Sequence, residues 1–524
     1  MFRFLSMAWL CLLAWAGPAQ ALTAEQALAM AAGDTDERVA AVQQAIVQPD
    51  ERIADFLKAL AADEVKIAAG KAIVVRDGKG QDPVTGTEVP VPEDAEDIIN
   101  NNRMRGEIDT AMAGLALFGK DDARRLAAAK ALTREPDAGR LPLLDKALAQ
   151  ETQAAIKAQL ELARSATLLG SEDAAQRIAA AQALSLSATP DTRLLLNERV
   201  TVEEDAKVKA ALQAALKAID GELAWGERLG AAFSGISLGS ILLLVALGLA
   251  ITYGLMGVIN MAHGELMMIG AYATYVVQGL FQKYLPGAFD WYLVAAVPLA
   301  FGASALVGAV LERSVLRFLY GRPLETLLAT WGISLVLMQL VRTVFGAQNV
   351  GVENPAWMSG GVQVLSNLTL PYNRLVIIGF AIAVLLSMGW LIGRTRLGLF
   401  VRGVTQNRPI ASCMGVNTAR VDTMAFALGS GIAGLAGCAL SQVGNVGPDL
   451  GQSYIVDAFM VVVLGGVGQL AGTVYAALGL GVLNKFLEGW AGAVLAKIAV
   501  LVFIIIFIQK RPQGIFAVKG RTAD

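Results

Sequence analysis

Three polar residues lie close together in an otherwise apolar stretch and could contact a solute. Asn260, His263 and Glu265 fall within residues 253–272, and His263 is the only histidine of the chain. Asp457, in a later apolar stretch, is a fourth candidate. Ionisable groups in a membrane-spanning segment are unfavourable unless they line a cavity or pair internally. These residues therefore predict a polar, substrate-binding site inside a membrane protein.

The spacing of these residues sets a geometric condition. In a regular α-helix Asn260 and His263 share a face, whereas Glu265 lies about 200° round the axis from His263. The three side chains converge only if the helix is broken, and Gly264 is the candidate break. An interrupted helix exposes backbone polar groups to a solute. The alternative is that His263 and Glu265 hydrogen-bond to neighbouring helices; one His and one Glu are too few ligands for a metal.

The chain contains no phosphate-binding loop. Gly-Lys is nowhere followed by Ser or Thr, which excludes a Walker-type site, so no cofactor is expected and ATP would be used by partner subunits. The sequence contains no paired catalytic aspartates, no His-Glu-x-x-His motif and no Ser/His arrangement that would support a membrane enzyme. A sensor or scaffold held by a simple anchor would not need many apolar segments with buried polar groups. Transport is therefore the function class that the residues favour.

Charge divides the chain into two parts suited to different solvents. Residues 22–230 hold 35 acidic and 25 basic residues, whereas residues 231–524 hold 10 acidic and 17 basic residues between long apolar runs. Before them, Arg3, an apolar run at 4–16 and Ala19-Gln20-Ala21 resemble a signal peptide cleaved after Ala21. The run is too short for the ~20 residues of a transmembrane helix. We expect residues 1–21 to be removed and the next domain to be periplasmic.

Residues 22–225 are rich in helix-forming residues and predict an exported α-helical domain. Residues 125–132 and 177–184 match at an offset of 52, and residues 38–46 are a looser copy. Such a period is typical of a HEAT-like α-solenoid, although Ala-rich helices also resemble one another by composition. Residues 74–102, rich in Gly, Pro and acidic residues, predict a loop or a small hairpin.

The second part, residues 231–524, predicts an all-α polytopic bundle. Eight apolar windows of spanning length occur at 236–257, 261–280, 291–311, 325–345, 375–393, 421–446, 455–484 and 492–509. The seventh window is long enough to divide near Gly465-Gly466, which gives nine spans. Arginines that follow the third and fifth windows predict cytoplasmic connections there, from the excess of basic residues on that side.

Several motifs resemble the branched-chain amino acid ABC permease family. Residues 253–272 are similar to the family's early signature, and Arg394-Thr-Arg-Leu-Gly398 followed by Arg402 and Met414-Gly415-Val-Asn417 is similar to its cytoplasmic coupling loop. Ala458-Phe459 and Arg511-Pro512 continue the likeness, which covers nearly all of residues 231–524. The resemblance implies a permease in the bacterial inner membrane.

The resemblance also implies partners. We expect a second permease subunit, two ATPase subunits and a periplasmic solute-binding protein, and no nucleic acid. The connection 394–420 would insert into the ATPase, and its candidate coupling residues are Arg402, Arg408, Gly415 and Asn417. A solvated loop with positive-inside charge is the alternative interpretation of this connection.

The expected substrate is urea. An exported helical domain of about 200 residues is unlike amino-acid permeases and resembles urea-type members, and Asp457 stands where amino-acid-type members often have Lys. Urea needs hydrogen-bond acceptors for its N–H groups when it is dehydrated, and Glu265 and Asp457 would supply them. The residues alone leave open branched-chain amino acids or short-chain amides.

The basic C-terminal tail generates a topology prediction. Lys510, Arg511, Lys519 and Arg521 place the C-terminus in the cytoplasm, because basic residues near a span are retained there. A cytoplasm-active reporter fused after Asp524 should be active, and an export-dependent reporter fused there should be silent. The opposite pattern would support an even number of spans.

Overall fold

The structure, a computed structural model, describes residues 22–46, 51–76, 78–92, 94–257 and 259–516. The expected signal peptide, residues 1–21, and the tail residues Lys519 and Arg521 lie outside this part. The chain divides into two compact units, Met1–Ala224 and Trp225–Asp524.

The first unit is mainly helical. Its helices are α1 (Ala24–Ala31), α2 (Thr35–Ile46), α3 (Glu51–Ala61), α4 (Asn102–Ala116), α5 (Asp122–Arg134), α6 (Leu141–Gln150), α7 (Ala154–Leu168), α8 (Ala174–Ser185) and α9 (Pro190–Val202), and α10 (Ala206–Met256) contributes residues to both units. Short polar residues such as Asp121, Asp173 and Thr189 begin helices by accepting backbone N–H groups, which is the usual N-cap interaction.

A small antiparallel sheet interrupts these helices and corrects the expectation of an all-α domain with a loop or hairpin at 74–102. The strands are β1 (Val65–Ala68), β2 (Lys71–Arg76), β3 (Lys79–Gln81), β4 (Glu88–Val89) and β5 (Glu96–Asp97), in the order β4-β3-β2-β1-β5. Ala69 and Gly70 both have positive φ, 49° and 72°, as a two-residue hairpin turn requires. The β-branched residues of β1 and β2 favour strands, a signal that outweighed the surrounding helical composition.

The 52-residue repeat recurs as a structural unit. Nε of Arg125 lies 2.9 Å from Oε2 of Glu151, and Nη2 of Arg177 lies 3.1 Å from Oε1 of Glu203. Both members of the second pair stand 52 positions after those of the first. Each glutamate also accepts the backbone N–H two residues later, at 2.9 and 3.2 Å. The repeated sequence therefore encodes a repeated connection between helices.

The second unit contains the apolar helices. They are α11 (His263–Tyr284), α12 (Tyr292–Ser314), α13 (Pro323–Phe345), α14 (Tyr372–Arg394), α15 (Arg396–Gln406), α16 (Arg408–Cys413), α17 (Thr418–Ser441), α18 (Leu450–Gly465), α19 (Leu470–Ala491) and α20 (Ala493–Lys510), with a hairpin of β6 (Gly361–Leu365) and β7 (Leu368–Pro371). The apolar stretch 455–484 is divided between α18 and α19, at Gly466 and Gly468, which both have positive φ.

Seven helices of the described residues are long and apolar enough to cross a membrane. They are α10, α12 with the 3₁₀ turn before it, α13, α14, α17, α19 and α20. Helix α18, with 16 residues, is shorter than the ~20 residues that span the hydrocarbon. The apolar windows of α10 and α17 are 89% and 83% buried, whereas those of α14 and α20 are 17% buried. Helices α10 and α17 therefore form the centre of the bundle.

The interruption near the polar residues lies before the position expected from the sequence. Helix α10 ends at Met256 and α11 begins at His263, so the break precedes His263 and Gly264 is helical. Gly257 has a φ of 66°, which glycine adopts without steric penalty. The chain leaves α10 at this glycine, and Gly264 instead serves helix packing.

We predict that the repeated ion pair makes the first unit sensitive to acid. Burial opposes ionisation of Glu203, but its backbone N–H donor and Arg177 outweigh burial and lower its pKa below 4.5. A lowered folded-state pKa stabilises the fold above the unfolded pKa, and this stability is lost as pH falls through the folded pKa. Glu203→Gln should cost about 3 kcal/mol, as for a broken buried pair, and should weaken the pH dependence.

Hydrogen exchange of α8 and α9 in the full-length protein, corrected for intrinsic rates between pH 3 and 7, measures this stability. Glu198→Gln, an exposed glutamate of α9, is the matched control and should behave as the unsubstituted chain. Equal protection in both variants would contradict the assignment.

Candidate functional site

The N-terminus of α11 begins inside the bundle. The loop before it is held by its own polar groups, since Oδ1 of Asn260 accepts from the backbone N of Ala262 at 3.0 Å. The backbone N of Met261 donates to Oγ1 of Thr330 on α13 at 3.2 Å. Asn260 is 1% exposed, and its Nδ2 has no hydrogen-bond partner within the described residues. The loop therefore presents a spare amide donor in a buried position.

His263 fastens α11 to α10. Its ring is fully buried, and Nε2 lies 3.1 Å from the backbone oxygen of Val245. A carbonyl oxygen only accepts, so Nε2 carries the hydrogen, and in the neutral ring Nδ1 is the unprotonated nitrogen. Nδ1 is buried without a partner in the described part of the chain. This contact with α10 agrees with the structural alternative considered from the sequence, and a role of His263 in solute binding stays a prediction.

Glu265 carries a buried carboxyl group that is only partly hydrogen-bonded. It is 1% exposed, and its Oε1 accepts from Oγ of Ser334 at 2.9 Å. Its Oε2 is buried, and no described atom hydrogen-bonds to it. The hydroxyl of Tyr272, two turns along α11, is also buried without a described partner. An acceptor and a donor with free hydrogen-bonding capacity therefore occur on one face of α11, and groups of this kind bind a polar solute.

A second helix begins beside Glu265. A Cβ on Gly264 would collide with the carbonyl oxygen of Gly451, in the first turn of α18. Asp449, the N-cap residue of α18, lies two residues before Gly451. The first turns of α11 and α18 therefore cross in backbone contact. Two positive helix ends and two carboxyl groups lie at this crossing. We call this region the polar centre and define it by Asn260, Glu265, Tyr272, Ser334 and Asp449.

Spacing in α13 offered a signal that sequence analysis missed. Thr326, Thr330 and Ser334 recur every four residues in an apolar helix and are all buried. Residues four apart share a helix face, so this row marks the side of α13 that meets the polar centre. Tyr272 and Asp449 were missed because no local pattern distinguishes them.

Asp457 is placed apart from the polar centre. It lies six residues along α18 from Gly451, or about 9 Å at the helical rise. Its Oδ2 lies 3.8 Å from Nζ of Lys497 on α20, and its side chain is 18% exposed. The structure pairs it with a cation, so its role in solute binding stays a prediction.

The residues expected in the coupling connection shape two short helices. Nε of Arg402 donates to the Gly398 oxygen at 3.3 Å, and Gly415 ends α16 with a φ of 84°. Asn417 caps α17 by accepting the Arg420 backbone N–H at 3.1 Å. Arg408 pairs with the fully buried Asp422.

Apolar side chains on this connection are exposed. Ile410 is 60% and Met414 is 80% exposed. Such residues, on a short helix between basic side chains, suit contact with another protein.

Comparison with known proteins identifies the second unit. The family model described as branched-chain amino acid transport system / permease component matches residues 231–509. The chain belongs to this permease family. It is 28% identical over 293 residues to the high-affinity branched-chain amino acid transport system permease protein LivH of Salmonella typhimurium, covering 54% of this chain and 93% of LivH.

Other relatives agree with this assignment. The corresponding permease protein BraD of Pseudomonas aeruginosa is 27% identical over 290 residues, 54% of this chain and 93% of BraD. The ribose import permease protein RbsC of Escherichia coli is 28% identical over 204 residues, 37% of this chain and 61% of RbsC. No solved structure matches this chain. The polar centre and the coupling connection both fall within the matched region of this permease, whereas residues 22–230 fall outside it.

The Gly264–Gly451 crossing of this permease generates a prediction. Gly264→Ala should lower the yield of monodisperse protein and its unfolding temperature, because overpacking of helix backbones costs roughly 1–3 kcal/mol. Gly279→Ala, on the same helix where nothing lies within 4 Å of a Cβ, is the matched control. It should be neutral or stabilising, because Ala favours helix over Gly by ~1 kcal/mol. Equal stability of the two variants would contradict the close crossing.

Proposed function

We propose that this permease passes a small solute bearing N–H donors through the polar centre, driven by separate ATPase subunits. The main observation that supports this proposal is the buried Oε2 of Glu265, which has no hydrogen-bond partner among the described residues. A buried charge without partners is expensive unless it binds a ligand, pairs or contacts water. A solute N–H group would satisfy it.

A branched-chain amino acid is the first candidate. LivH and BraD carry this substrate class in their names. The ammonium group of an amino acid would pair with Glu265, and its carboxylate would lie at the positive ends of α11 and α18, as anions do at helix N-termini. The relatives therefore favour the amino acid over urea, which the sequence analysis had placed first.

Urea is the second candidate, favoured by the N-terminal unit. Residues 22–230 lie outside the family match, and the resemblance of this domain arrangement to urea-type permeases remains its support. The N–H donors of urea would also suit Glu265. The proposed contribution of Asp457 is weaker, because this carboxylate already has Lys497 as a partner.

The placement of the N-terminal unit is part of the proposal. We infer that residues 1–21 are a cleaved signal peptide, that residues 22–225 lie in the periplasm, and that the 52-residue unit belongs to a HEAT-like array. The repeated Arg–Glu pairs support the array, and the charge contrast between the two parts of the chain supports the export.

The coupling connection, residues 394–420, is the proposed contact with the ATPase subunits. Membership in this family of ABC transport permeases implies ATPase and binding-protein partners. We infer that α16, with its exposed Ile410 and with the exposed Met414 directly after it, docks on an ATPase subunit. Arg402, Gly415 and Asn417 would shape the segment for this contact through the hydrogen bonds and the turn described above.

Glu265→Gln tests the polar centre. The amide keeps the shape but removes the charge, so a charge-assisted hydrogen bond worth roughly 1.5–3 kcal/mol is lost. We expect uptake per assembled complex to fall about 10- to 150-fold, at 1.4 kcal/mol per factor of ten. Assembly should be unchanged, because removal of a buried charge relieves desolvation. The measurement is uptake of labelled leucine and labelled urea, each with the other as competitor, divided by the amount of complex.

Glu488→Gln is the matched control, since Glu488 forms an ion pair with Lys485 that is partly exposed. Normal uptake per complex by Glu265→Gln would remove Glu265 from the path. Reduced assembly with normal uptake per complex would assign it a structural role instead.

A further inference from the structure

A buried polar network joins the coupling connection to the helices of the bundle. Glu312, in the last turn of α12, is fully buried. Its Oε1 accepts from the hydroxyl of Tyr320 at 2.8 Å, and its Oε2 accepts from Oγ1 of Thr423 on α17 at 2.6 Å. Nη2 of Arg317 lies 3.7 Å from Oε2 of Glu312. The end of α12 is thus bound to the start of α17.

A second buried carboxylate brings the coupling connection into this network. Asp422, next to Thr423, is fully buried and pairs through Oδ2 with Arg408, the first residue of α16. The Arg408 guanidinium also lies 5.3 Å from the centre of the Tyr320 ring, within the range of a cation–π interaction. Arg408 and Tyr320 therefore connect the carboxylate of Asp422 with that of Glu312.

The network is incompletely satisfied. Oδ1 of Asp422 is buried with no hydrogen-bond partner in the part of the chain that the structure describes. Buried ion pairs are weak sources of stability compared with apolar residues of the same size, and removal of one partner is strongly destabilising. A spare acceptor would allow the Arg408 guanidinium to shift between the two oxygens of Asp422 without losing its charge partner.

Both helices held by the network continue to the polar centre. Oγ of Ser304 on α12 donates at 2.8 Å to the backbone oxygen of Leu266, the residue after Glu265. On α17, Gly434 is in backbone contact with Gly270 of α11. These contacts are the bonds through which a displacement of α12 or α17 would reach α11.

We propose that Arg408, Asp422 and Glu312 are positioning residues that transmit displacement of α16 to α12 and α17, and hence to α11 at the polar centre. The inference rests on the proposed function, in which α16 contacts an ATPase subunit. When α16 is displaced, Arg408 pulls on the first turn of α17 through Asp422. Glu312 holds α12 to the same turn through Thr423, so that the two helices move together.

The test uses the complete complex in membranes, with the permease, its partner subunits and the binding protein. Asp422→Asn removes the pair and leaves no unpaired buried charge, because the Arg408 side chain is 40% exposed. The double variant Arg408→Ala with Asp422→Asn removes both partners. For Asp422→Asn we expect assembly and basal ATP hydrolysis within about twofold of the unsubstituted complex, because Asp422 is buried and lies outside the proposed ATPase contact. Solute uptake per ATP hydrolysed should fall about 5- to 150-fold, the range of a typical coupling free energy. The single variant Arg408→Lys, which keeps the charge of the pair, should retain more uptake per ATP than Asp422→Asn or the double variant.

Arg322→Ala is the matched control, because Arg322 forms an exposed ion pair with Glu325 just beyond Tyr320. Its uptake per ATP should equal that of the unsubstituted complex. An unchanged ratio in Asp422→Asn and in the double variant, or failure of Asp422→Asn to assemble, would overturn the positioning role. Absence of leucine and urea uptake by the unsubstituted complex would instead overturn the proposed function, and the inference with it.

Discussion

Backbone contact between helices at paired glycines is the constraint on which the packing of the second unit depends. Lipid tails are as apolar as leucine, so helices associate in a membrane through close packing and hydrogen bonds rather than through the hydrophobic effect. At Gly429 on α17 a Cβ would lie 2.7 Å from the Gly248 oxygen of α10, and Gly264 of α11 meets Gly451 of α18 in the same way. The Gly264–Gly451 contact brings the first turns of α11 and α18 together, and with them the polar groups that these turns carry.

The depth at which α11 begins explains why so many polar atoms are buried. A helix that started at the membrane surface would expose its first N–H groups to water, whereas α11 starts against Val245 and Ser334. Its loop and its first turn must therefore find partners within the protein, and Asn260, His263 and Thr330 supply most of them. Glu265 is the exception, because Ser334 provides one hydroxyl hydrogen and the carboxylate has two oxygens.

Sequence reasoning predicted the apolar helices, the 52-residue repeat and the burial of Asn260, His263 and Glu265, because periodicity and composition are local properties. The partners of those residues depend on which helices touch. Ser334 and Val245 are 69 and 18 residues from their partners. The spacing of residues in a single sequence does not show which distant residues come into contact. The sheet at 65–97 was missed for a different reason: short strands within a helix-rich composition give a weak signal, and the turn at Ala69-Gly70 was not recognised.

The two units use buried carboxylates in different ways. In the first unit Glu151 and Glu203 each bind arginine and accept backbone N–H groups, so every change of position would break several bonds at once. In the membrane unit Glu265 and Asp422 each have one oxygen with no hydrogen-bond partner within the described residues. A fully satisfied network favours one arrangement, whereas a spare acceptor permits a second arrangement at a smaller energetic penalty. The unsatisfied carboxylates lie at the proposed solute site and beside the proposed coupling connection, where a transporter would have to change conformation, and the satisfied ones lie in the repeated domain.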